Sequence, residues 1–147
     1  MTFQLMLTSV ASVFISLALL SVPAAAAEQQ DAEAAAKAII SSLDGRQYKK
    51  LWDAQTSAFF KKQVSEDSFL ANMSMGRAPL GKLLNSRFID VSFSQHDPAT
   101  GFQGRIYAFN YLNTYAAGKF YERIVVVKEP DGQFRLAGIW GNPAPNH

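Results

Sequence analysis

Between residues 105 and 140 apolar and polar positions alternate in twos, and that period predicts three consecutive antiparallel strands over residues 105–115, 120–128 and 133–140. The first sets Tyr107, Phe109, Tyr111 and Tyr115 on one face and Ile106, Ala108, Asn110, Leu112 and Thr114 on the other. Apolar residues on both faces predict a central strand, and the run Ile124-Val125-Val126-Val127 predicts the same for the second. The third sets Phe134, Leu136, Gly138 and Trp140 against Arg135, Ala137 and Ile139, with Gly138 marking a bulge or bend. Residues 116–119 and Pro130-Asp131-Gly132 supply the turns, since Pro presets φ and Gly accepts a positive one. Upstream, residues 85–94 form a half-buried edge strand, with Arg87, Ile89, Val91 and Phe93 on one face and Phe88, Asp90, Ser92 and Ser94 on the other. A long loop follows over residues 95–104.

Before residue 80 the period changes to that of a helix. Ala32, Ala35, Ala36, Ile39, Ile40 and Leu43 predict a helix over residues 28–44, ended by Gly45 in a left-handed conformation. Tyr48, Leu51, Trp52, Gln55 and Phe59 predict a second over residues 47–60. A third starts at the N-cap Ser65, buries Phe69, Leu70 and Met73, and stops at Gly76. Residues 77–82, with Pro79, form a connector. Three helices followed by four strands give an α+β class: N-terminal helices packed on a curved four-stranded antiparallel sheet, with room for a cavity between them.

Residues 1–27 carry no charged side chain. An apolar run over residues 5–22 leads into Pro23 and then Ala24 to Ala27, which is the order of a secretory signal cleaved near Ala27. No Lys or Arg precedes the run, and an uncleaved anchor is the alternative, since a span needs about 20 apolar residues. The expected organisation is a signal over residues 1–27, one domain over 28–141 and a tail over 142–147, in a periplasmic or secreted protein. The absence of cysteine excludes a disulfide framework and a lipid-modified N-terminal cysteine. The formal charge of +2 is mild, and the basic pairs Lys49-Lys50 and Lys61-Lys62 are interleaved with acids, so no concentrated face for nucleic acid is expected.

The order Asp44-Gly45-Arg46-Gln47-Tyr48, Trp52, Arg77-Ala78-Pro79-Leu80-Gly81, Ser86-Arg87, Glu122 and Asp131-Gly132-Gln133-Phe134-Arg135-Leu136-Ala137-Gly138 resembles that of a family of exported bacterial proteins, domain of unknown function family 4019. The resemblance covers roughly residues 32–140 and implies a periplasmic or secreted single domain with no established activity. The layout is also similar to the nuclear-transport-factor-2-like, or cystatin-like, cone. That fold hosts isomerases, dehydratases, small-ligand binders and interaction modules, so it does not choose among them.

Candidate chemistry is sparse. His96 and His147 are the only histidines, and Asp97 before Pro98 reads as a turn former more than as an orienting acid. A zinc site would need three or four ligands, and neither a Gly-rich phosphate loop nor a nucleophile elbow is present, so no metal or cofactor is expected. Glu122 stands out, because a carboxylate within an apolar strand is costly without a partner. With Arg87 or Arg77 it could line the mouth of a cavity and meet a polar ligand; paired with Arg105 or Arg135 it would fix sheet register instead. Tyr107, Tyr111 and Trp52 could wall a small-molecule pocket or be ordinary core, and Asn110 could bond a ligand or a turn. Three functions follow: non-catalytic binding of a small ligand or an envelope protein; a small enzyme using Glu122 or Asp90 as a buried acid for proton transfer or hydrolysis; or an interaction module, which could be a homodimer.

Overall fold

The computed structural model describes residues 23–145. The expected signal therefore lies outside the described residues over its first 22 positions, as does His147. Helix α1, Ala24–Asp44, starts within the alanine block and buries Ala32, Ala36, Ile39, Ile40 and Leu43. Its end differs from expectation: Gly45 has an ordinary φ of −73°, and the left-handed residue is Arg46 at 54°.

The second predicted helix is broken in two. Short helix α2, Tyr48–Lys50, runs into a π-helical turn, Leu51–Gln55, and helix α3, Ala58–Gln63, starts afresh. The break comes from Thr56 and Ser57. Thr56 forms a parallel bridge with Leu136, the Ser57 amide donates to the Leu136 carbonyl at 2.9 Å, and the Ser57 hydroxyl caps α3 by accepting from the Phe60 amide at 3.1 Å. Helix α4, Glu66–Arg77, is capped by Ser65 as predicted and continues into a 3-10 turn, Ala78–Leu80. Among the described residues no helix is long and apolar enough to cross a membrane.

Strands β1, Leu83–His96, β2, Gln103–Tyr115, β3, Gly118–Lys128, and β4, Phe134–Pro143, form one antiparallel sheet in the order β1-β2-β3-β4. Helices followed by such a sheet make the class α+β, as predicted. β2 and β3 are the central strands and β1 is an edge. β4 extends through Asn142 and Pro143, two positions expected in the tail.

Two bulges change which side chains share a face. In β4 the register shifts so that Val125 pairs with Gly138 but Val126 with Leu136. Phe134 and Leu136 point inward, Ile139 joins them opposite Ile124, and Trp140 turns outward opposite Arg123. That reverses the predicted parity beyond Ala137 and confirms the bulge at Gly138. In β1 a shift at Ile89 puts Phe88, Val91 and Phe93 inward opposite Tyr111, Phe109 and Tyr107, and Arg87 outward opposite Leu112. The core lies between the inward face of the sheet and α1 with the π-helical turn, where Trp52 packs on Phe69 at 5.3 Å between ring centroids.

Candidate functional site

Two places in the fold hold polar groups that the core alone does not require, and they lie on opposite faces of β3. The first is inward. Arg77, in the last turn of α4, places a guanidinium nitrogen 2.9 Å from Glu122 Oε1. Its other nitrogen donates to the Tyr115 hydroxyl, which in turn donates to Glu122 Oε2 at 2.7 Å. The Asn113 amide donates to the same carboxylate oxygen. Glu122 is 4% exposed and Arg77 9%. Burial by itself would lower the basicity of Arg77, but Glu122 and Tyr115 hold it raised. Burial, reinforced by Glu122, pushes the Tyr115 phenol up. The free space beside Arg77 and Tyr115 is about 10 Å³, room for no more than one water.

This arrangement selects Arg77 from the partners expected for Glu122. Arg105 is engaged elsewhere with Glu28 at 2.7 Å, and Arg135 with Glu129 and Asp131 at 2.8 and 2.7 Å. Both oxygens of Glu122 carry hydrogen bonds, and the side chain is buried. The geometry fits a structural ion pair joining α4 to β3. Asp90, the other acid considered for catalysis, is exposed and accepts from Asn110.

The second place faces outward. A cavity of about 620 Å³ opens between α3 and α4 on one side and the outward positions of all four strands on the other. Its walls are largely apolar: Phe59, Phe60, Val64 and Met73 from the helices, with Ile106, Val125 and Val127 from the sheet. Phe59 meets Phe102 of the β1–β2 loop edge-on at 4.8 Å, closing one end, and Trp140 stands at the rim, 56% exposed. The polar lining includes Arg123, His96, Asp97 and Asn72.

His96 and Asp97 both reach this cavity but do not form a catalytic couple. His96 Nδ1 lies 3.2 Å from the Phe102 carbonyl, and the Asp97 carboxylate is spent on its own loop, accepting from the Ala99 amide at 3.0 Å and the Thr100 hydroxyl at 2.6 Å. Those bonds lower its pKa. Among the described residues no group of three or more His, Asp or Glu side chains is placed to hold a metal ion.

None of the seven ligand candidates lines this cavity. Glu122 and Arg77 are in the closed ion pair, and Arg87 is exposed on the edge strand. Asn110 bonds Asp90, the Tyr107 hydroxyl donates to Glu28 at 2.9 Å, and Trp52 is core. Tyr111 is inward with its hydroxyl unpaired, and burial, with Glu33 nearby, pushes its phenol up to about 12. Arg123, Phe59, Phe102 and Trp140 were not among the candidates. The signal for them was the apolar second face of β2 and β3: Ile106, Ala108, Val125 and Val127 needed a covering layer of their own.

No curated protein and no solved structure matches the chain. A family profile matches residues 35–139, well over half of the sequence, and this chain therefore belongs to the family described as Protein of unknown function (DUF4019).

Proposed function

We propose that this is an exported, non-catalytic domain of nuclear-transport-factor-2-like layout that binds a small molecule in the cavity between α3–α4 and the sheet. One observation carries the reading: the cavity's volume of about 620 Å³ falls in the range of small-molecule sites, and its walls are mainly apolar with a few convergent polar groups. Binding is favoured over catalysis because Glu122 is enclosed and fully bonded, while Asp90 lies exposed on the edge strand. Export is supported by the charge-free apolar N-terminal run that leads into the alanine block.

Native mass spectrometry of the mature protein, purified from its own host without denaturation, tests the reading. The expected result is a discrete mass above that of the polypeptide, lost when Val125→Trp fills the cavity. A polypeptide-only mass, with no uptake from a lipid and metabolite extract, would overturn it.

A further inference from the structure

Glu122 and Arg123 are adjacent on β3, so alternation sends their charges to opposite faces of the sheet. The inward charge is matched by Arg77. The outward one is not: Arg123 makes no ion pair with any other described residue. Among the described residues it is the one Arg or Lys side chain in the cavity lining; its cross-strand neighbours are the exposed Trp140, at the cavity rim, and Asn110, which does not line the cavity. The only carboxylate of the described residues in the lining, Asp97, accepts on both oxygens from its own loop. The cavity therefore presents a long apolar wall and a single unmatched cation.

We propose that its occupant is a single-chain amphipathic carboxylate, of the fatty-acid class, with its tail against Phe59, Phe60, Val64 and Met73 and its carboxylate on Arg123. This rests on the binding function proposed above and narrows it to one ligand chemistry. A planar guanidinium suits a carboxylate because two parallel N–H donors meet two oxygens, and such charge-assisted pairs are stronger than neutral ones. The apolar body supplies affinity through burial, and Arg123 selects the head group.

The test is titration of the folded protein with dodecanoate, dodecanol and dodecylamine below their aggregation limits, read by calorimetry and by Trp140 fluorescence. Dodecanoate should bind roughly tenfold to a hundredfold tighter than dodecanol, as expected for one charge-assisted contact. Arg123→Gln should erase that preference while leaving dodecanol affinity within about twofold, and Arg123→Lys should restore part of it. Because Arg123 is exposed, the variants should keep the wild-type melting temperature. Equal binding of dodecanol and dodecanoate would overturn the carboxylate assignment and leave the cavity as a binding site. No binding of any of the three would remove both. Sedimentation with phosphatidylglycerol vesicles, without free-acid binding, would also overturn the assignment by placing the anion in a membrane.

Discussion

Glu122 holds its place through partners that are distant in sequence. Arg77 is 45 positions away, and Tyr115 and Asn113 come from the neighbouring strand. Removing one member of a buried pair leaves the other charge uncompensated, which costs about 3–5 kcal/mol, whereas replacing both with apolar residues is often neutral. Glu122→Gln should therefore destabilise the protein by about that amount in urea denaturation. Arg77→Met with Glu122→Leu should recover most of the loss. A single-variant loss below about 1 kcal/mol would show the pair to be dispensable. That Glu122 needed a partner was readable from a lone acid among Tyr121, Ile124 and Val125. Which arginine it takes was not, since three others lay within the same reach of the chain.

Segment geometry was decided by edges and bulges. Residues 47–60 carry a helical stripe, yet the chain leaves the helix at Thr56 because the outer edge of β4 offers Leu136 for bridging. That bridge covers an otherwise open strand edge. Gly138 is needed for a different reason: a Cβ there would sit 2.3 Å from the Trp140 ring, which lies over it. Gly138→Ala should displace that ring, costing about 1 kcal/mol because the half-exposed indole can swing into solvent. Its fluorescence should shift to longer wavelength; unchanged emission and stability would contradict the packing. The bulge itself was legible from Gly138, but the reversal of Ile139 and Trp140 was not. Period-2 reading assumes an unbroken pleat, and one extra residue exchanges the faces beyond it. The same slip at Ile89 in β1 moved Phe88 inward.

Helix and sheet are tied at a second point by Glu28. Its carboxylate accepts from Arg105, Tyr107 and Lys128, which brings the start of α1 onto β2 and β3. Partial burial alone would raise its pKa, but the bonds from Arg105, Lys128 and Tyr107 outweigh that and leave it lowered. A carboxyl lowered in the fold contributes stability that is full above its ordinary value of 4.5 and is lost as pH falls through the folded-state value. Glu28→Gln should thus lower the melting temperature at neutral pH. The gap from the wild type should close as the pH falls through the folded-state value. A gap of constant size across that range would mean that Glu28 contributes through packing and not through its charge.

Local pattern was sufficient for the strands and for α1 and α4, but not for the break at Thr56 and Ser57. Alternation marked four strands and separated the central pair from an edge, and the Ser65 cap marked α4, because these features depend on neighbours within a few residues. Cavity and ion pair depend on which distant segments meet. Apolar residues on both faces of β2 and β3 called for a second layer but did not say that α3 and α4 would supply it incompletely and leave about 620 Å³ between them. Nor could alternation tell an acid that is enclosed, as Glu122 is, from a cation left facing an open cleft, as Arg123 is. That distinction is set by long-range packing: Arg77 pairs with Glu122 on one face of β3, and on the other no described acid forms an ion pair with Arg123.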